Sequence, residues 1–202
     1  MTNRKRLLLR VTIALLFGLA AAVISLCAGR QQAEHSAVTY PQMTTCLRII
    51  GTISGIEAFR QKRHHLPQDL SELLDSPAGE AYDGWYRPLE YSVHGDRYLV
   101  TSYGEDGRPG GAGLDADITS DNYKQRPGIT MMQYLTRSET GGMVISEVGT
   151  GVLAAILCYF LVRRASLTKS NLVPLTAGLV AALIATIFVG GIVTLLHIPS
   201  GH

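Results

Sequence analysis

The run from Ser102 to Ile118 places five glycines and three aspartates, Asp106, Asp115 and Asp117, on one short stretch that follows a strand-like segment. Carboxylates on a bent, glycine-rich backbone suit a hard cation. Calcium takes about six to eight oxygens from carboxylates, backbone carbonyls and water, and glycine lets carbonyls turn inward through backbone angles that other residues avoid. The stretch reads as a candidate calcium loop; a solvated series of Asp-Gly turns is the alternative. An ion held there would be structural rather than catalytic, because no histidine or obvious base lies beside it in sequence.

Other residues with chemical potential are weaker candidates. His64 and His65 are adjacent, and neighbouring residues at a helix end point about 100° apart, so they read as a solvated terminus rather than a shared metal site. Arg60, Lys62 and Arg63 beside them form a basic patch for solvent, lipid head groups or an acidic partner. Trp85, Tyr86, Tyr91 and Tyr98 read as aromatic cover for a small core. Ser71 and Ser102 lie in no nucleophile-elbow context, and no serine, histidine and acid set is recognisable, so no enzymatic activity is expected.

The elements that must position the acidic loop follow from periodicity. Cys46, Ile49, Ile50, Ile53 and Ile56 recur at helical spacing, which predicts an amphipathic helix over Thr44 to Arg63. Gly51 and Gly55 weaken it by about 1 kcal/mol each relative to alanine, so burial of the isoleucine face must hold it. Leu66-Pro67 ends that element, and Leu70, Leu73 and Leu74 predict a short helix over Gln68 to Leu74. Leu89 to Val93 alternates, His94-Gly95-Asp96 supplies turn residues, and Arg97 to Tyr103 returns, which predicts a β-hairpin leading into the acidic loop. Ile118 to Gly142 reads as a tether, with Ile129 to Leu135 as a short strand or helix. The order indicates a small α+β domain.

Hydropathy adds a membrane. Val11 to Gly29 and Leu172 to Ile198 carry no charged residue, and Met143 to Val162 carries only Glu147. A bilayer core of about 30 Å needs roughly 20 apolar helical residues, so three transmembrane helices are predicted, at 11–29, 143–162 and 172–198. Arg4, Lys5, Arg6 and Arg10 precede the first block, and Arg163, Arg164 and Lys169 fill the 163–171 connection. These seven are the basic residues outside 30–142, leaving that segment 11 basic and 15 acidic residues, net −4. Both clusters place the 1–10 segment and the 163–171 loop in the cytoplasm and 30–142 outside it. A cleaved signal peptide is the alternative for the first block, although Leu26 is a poor cleavage residue. Glu147 reads as a helix N-terminal charge, and Gly149, Gly151, Gly178, Gly190 and Gly191 offer faces for close helix packing. Only Cys46 of three cysteines lies outside the apolar blocks, so no disulfide framework is available. The acidic 30–142 segment argues against nucleic acid as a partner, and no small-molecule substrate is evident.

The region from about Thr44 to Ile118 resembles the C-terminal domain of the major pseudopilins of type II secretion systems. Its matching features stand in the family's order: the amphipathic helix, Leu66-Pro67 with Leu70 and Leu73, Asp83-Gly84-Trp85-Tyr86-Arg87-Pro88-Leu89-Glu90-Tyr91, Tyr98 to Ser102, Gly104, Asp106-Gly107, and Asp115-Ala116-Asp117-Ile118. The resemblance implies a helix packed on a small antiparallel sheet, with a loop that binds Ca2+. By position it implies Asp106, Asp115 and Asp117 as ligands, with the backbone carbonyls near Tyr103 and Arg108. It also implies a setting in the inner membrane of a double-membraned bacterium, with 30–142 in the periplasm and protein partners in the cell envelope.

The chain departs from the family at Arg10-Val11-Thr12-Ile13, which lacks the glycine cleavage point and the glutamate expected there. It also carries two further apolar blocks, and Tyr86 stands where the family commonly has glycine. The expectation is therefore a membrane-anchored, non-enzymatic interaction or scaffold protein with a pseudopilin-like domain. A genuine filament subunit, and a membrane sensor or transport accessory, are the alternatives.

Overall fold

The computed structural model describes residues 3–73, 81–164 and 172–197. The chain divides into two compact units, one made of 1–33 with 134–202 and the other of 34–133.

The first unit is helical. Helices α1 (Asn3–Ala33), α4 (Gly141–Arg164) and α5 (Leu172–Leu196) are long and apolar enough to cross a membrane. At 1.5 Å per residue α1 is roughly 46 Å long, more than the ~30 Å core requires, which leaves its basic first turns outside the apolar part. The face that α1 buries is built from small residues: Ala14, Gly18, Ala21, Ser25, Gly29 and Ala33. They recur every three or four positions and so form one seam. That seam meets α4 at a reciprocal crossing. A Cβ added at Gly18 would lie 2.6 Å from the Ala155 Cβ and the Gly151 carbonyl, and one at Gly151 would lie 2.6 Å from the Ala22 Cβ. Where lipid tails are as apolar as leucine, such close backbone approach is what drives helices together. Toward the other end, Ala14 packs with Cys158 and Val162 of α4 and with Leu175 and Leu179 of α5. Larger apolar residues such as Leu15, Leu16 and Leu19 stay exposed, as a lipid-facing surface would be.

The second unit is the α+β domain. Helix α2 spans Tyr40–Arg63, starting four residues before the predicted Thr44. Pro41 is the reason, because proline sits readily in a helix's first turn, where its missing N–H breaks no bond. It ends where His64 adopts the left-handed conformation, φ 61°, and donates its N–H to the Arg60 carbonyl at 2.8 Å. Arg60, Lys62 and Arg63 crowd this last turn, a favourable position for cations at the negative end of the helix dipole. His65 packs edge-on against Phe59 at 5.4 Å. The histidine pair is thus a helix terminus.

The short helix predicted over Gln68 to Leu74 is a 3-10 turn at Leu70–Leu73; Gln68 and Asp69 precede it as a bend, and Leu74 lies outside the described residues. Strands β1 (Glu90–His94) and β2 (Arg97–Ser102) form the antiparallel hairpin, with His94 opposite Arg97. Gly95 supplies the positive φ, 63°, at the first turn position, as a two-residue loop of the II′ kind needs. A third strand, β3 (Ile118–Thr119), pairs antiparallel to the end of β2, Ser102 with Ile118. The predicted tether therefore begins as part of the sheet. Helix α3 (Met131–Thr136) follows where a short strand or helix was expected.

The core lies between α2 and the sheet. Cys46, Ile49 and Ile56 of α2 meet Leu70, Leu73, Leu89, Val100 and Ile118, with Tyr91 and Tyr98 packed at the rim. Ile49 and Ile56 are wholly buried, worth about 1.5–3 kcal/mol each against exposure. That outweighs the two helix glycines. Burial is also the first cause that raises the Cys46 thiol above its ordinary value.

Candidate functional site: the acidic loop and its supports

The acidic loop leaves β2 at Ser102 and returns at β3, so both its ends are fixed by adjacent strands. Its neck closes at Gly104, φ 63°, where an added Cβ would lie 2.6–2.8 Å from the Asp115 and Leu114 carbonyl groups. Only glycine fits that approach and that backbone angle. The Glu105 N–H donates to the Leu114 carbonyl at 2.8 Å, and the Leu114 side chain is buried beneath the loop. Two side chains from elsewhere hold the neck. Arg87 Nη1 donates to the Gly104 carbonyl at 2.6 Å, and Gln42 Nε2 of α2 donates to the Gly113 carbonyl at 2.8 Å.

Each predicted ligand has a definite place. Asp106 is exposed, and its Oδ1 accepts the Arg108 N–H at 3.0 Å. Both oxygens of Asp117 accept the Gly110 N–H, at 2.9 and 3.0 Å. Asp115 Oδ2 accepts from Gln133 Nε2 at 2.9 Å. Tyr103 turns its hydroxyl away to Glu90 Oε2 at 2.6 Å, and that bond is the first cause raising its pKa. The donor set suits calcium in kind, being anionic and all oxygen. In arrangement each carboxylate is occupied by its own protein donor, and among the described residues no three His, Cys, Asp or Glu side chains are grouped to hold an ion.

The residue that organises this region escaped the sequence reading. Asp83 is 1% exposed. Its Oδ1 accepts the Trp85 and Arg87 N–H groups, both at 2.9 Å, and its Oδ2 accepts the Ser102 hydroxyl at 2.8 Å. Arg48 Nη1 of α2 donates to its carbonyl at 2.9 Å. One carboxylate thus ties the turn before β1 to the end of β2, and it aligns Arg87 toward the loop neck. The signal was available in Asp83-Gly84, an Asx-turn signature. Gly84 follows because its N–H donates to Thr45 Oγ1 at 2.8 Å and a Cβ there would collide with the Pro41 carbonyl.

Tyr86 corrects the expectation that all four aromatics cover the core. It is 82% exposed, has φ 62°, and lies 5.8 Å from the Arg48 guanidinium. The left-handed angle explains why glycine would serve at this position.

In the helical unit, Glu147 corrects a second expectation. It is the seventh residue of α4, past the first turn, so it is not an N-terminal helix charge. It is 2% exposed, and both of its oxygens accept the Tyr134 hydroxyl, at 2.7 and 2.8 Å. Tyr134 is buried, and its hydroxyl pKa is raised first by that burial and then by the Glu147 bond.

Comparison with known proteins matches residues 52–121 to the family described as type II secretion system (T2SS), protein G. The type II secretion system core protein G of Xanthomonas campestris pv. campestris is 37% identical over 84 residues, covering 34% of this chain and 59% of that relative. The chain therefore spans about 59% of the length of the curated relative it matches. No solved structure matches it. The match takes in the C-terminal half of α2, the hairpin, the acidic loop and β3, and it leaves α1, α4 and α5 outside. Residues 52–121 thus form a domain similar to type II secretion system protein G, the pseudopilin family.

Proposed function

We propose that the chain is a non-enzymatic, membrane-anchored interaction module of type II secretion or pilus-type envelope machinery, presenting its pseudopilin-like domain on the periplasmic side of the inner membrane. The observation that carries this reading is the α1–α4 seam. A filament subunit must draw its apolar helix out of the bilayer, and here that helix is committed, through Gly18 and Gly151, to a second spanning helix of the same chain. Protein partners in the envelope would engage the α+β domain. The acidic loop would serve as its calcium-stabilised brace, with Asp106, Asp115 and Asp117 turning from their present donors toward one ion and the carbonyls near Tyr103 and Arg108 completing the shell. The glycine-rich backbone and the all-oxygen donor set support this.

The family match suits a genuine filament subunit as well, and one experiment separates the two readings. Membranes of cells expressing the full chain are sheared, fractionated and analysed by intact-protein mass spectrometry. The anchored reading expects an intact Met1 end retained in the membrane fraction, and crosslinked envelope proteins that copurify with it. An N-terminally processed chain recovered in sheared filaments would refute it.

A further inference from the structure

A cavity of about 90 Å³ opens beside Glu147, between Ser25, Gly29 and Gln32 of α1 and Gly191 and Thr194 of α5. It is well above the ~10–15 Å³ that one water requires. Gly29 is what admits the carboxylate, since a Cβ there would collide with Glu147 Oε1 and the Tyr134 hydroxyl. Among the described residues the side chain of Glu147 hydrogen-bonds only to Tyr134. A buried carboxylate keeps its charge in an apolar setting only opposite a cation, and membrane-embedded acids mark functional sites. The cavity wall is mostly carbon, relieved by the Ser25 and Thr194 hydroxyls and the Gln32 amide. That lining suits a cation with an alkyl arm better than a bare metal ion, which needs a shell of oxygens.

We propose that this cavity binds the primary ammonium of a phosphatidylethanolamine head group, with Glu147 as its counter-ion and Tyr134 as a positioning residue for the carboxylate. Glu147 lies six residues, roughly 9 Å, from the start of α4, nearer the end of the apolar helix, where head groups gather, than its middle. The exposed apolar side chains of Ile24 on α1 and Ile192 and Leu195 on α5 offer a track for an acyl chain.

Native mass spectrometry of the delipidated full-length protein in detergent, titrated with defined lipids, tests this. Phosphatidylethanolamine should be retained and phosphatidylglycerol should not. Glu147→Gln should weaken retention by about thirtyfold or more, the lower end of what truncating one partner of a desolvated charge pair costs. Gly191→Leu, at a position with nothing within 4 Å of an added Cβ, should fill the cavity and abolish retention with Glu147 untouched and helix content by circular dichroism unchanged. Equal retention of ethanolamine lipid by Glu147→Gln or by Gly191→Leu overturns the proposal, as does equal binding of phosphatidylglycerol. Displacement by ethanolamine chloride at the lipid's own concentration overturns the lipid as the source.

Discussion

Replacing Asp83 with alanine removes an acceptor that serves two backbone N–H groups and one hydroxyl, all at 2.8–2.9 Å. Hydrogen bonds to a charged group contribute about 1.5–3 kcal/mol each, and the penalties overlap because the donors share one site, so a total near 4 kcal/mol is expected. For a domain of this size each kcal/mol moves the melting midpoint by about 4–8 °C, which makes the drop roughly 20 °C. Urea unfolding of the segment 34–133, followed by fluorescence of Trp85, the single tryptophan, gives the free energy directly. The slope with denaturant should not change. Ser102→Ala removes one of the three bonds and should cost about 1.5–3 kcal/mol. The double variant should cost little more than Asp83→Ala alone, because both changes break the same contact. An Asp83→Ala protein within about 1 kcal/mol of the parent, or costs that simply add, would refute the idea that this carboxylate binds the turn before β1 to β2.

Two further outcomes are expected. Calcium at about 100 times its dissociation constant should stabilise the segment 34–133 by about 2.7 kcal/mol, chelator should reverse this, and Asp117→Ala should remove the response; superimposable melts with and without the ion would eliminate calcium from the acidic loop. The Tyr98 hydroxyl, which donates to Glu57 Oε1 at 3.0 Å, is pushed up from 10.0 to about 12, first by burial and then by that bond. The neutral phenol is favoured in the folded state, so its contribution is whole below pH 10 and is lost as pH rises through about 12. Urea midpoints measured across that window should fall more steeply for the parent than for Tyr98→Phe, and equal slopes would exclude the coupling.

Periodicity made the helix of isoleucines and the alternating hairpin legible in the sequence, because each buries one face and the residue pattern records it. β3 was not legible: two residues, Ile118 and Thr119, carry no period, and only the return of the loop to Ser102 makes them a strand. The three helices long enough to span a membrane were plain from apolar runs, while the small-residue seam of α1 gained meaning only once Gly151 was found opposite Gly18. The acidic residues were visible as a set, yet their present donors, Arg108, Gly110 and Gln133, come from turn geometry and from a helix beyond the loop. Asp83-Gly84 signalled a turn and Glu147 stood out as a charge in an apolar run, yet neither signal told that the carboxylate is buried. That burial is set by partners further along the chain, Ser102 for Asp83 and Tyr134 for Glu147.

The seam on α1 also imposes an order of events during synthesis. The helix is complete at Ala33, and its partner α4 begins only at Gly141. At ribosomal speeds of about 5–20 residues per second, the first span waits roughly 5–20 seconds in lipid with its glycine notches unfilled. The α+β domain, whose residues all lie between the two, is synthesised whole before the seam can close, so it has those seconds in which to fold ahead of the helical unit.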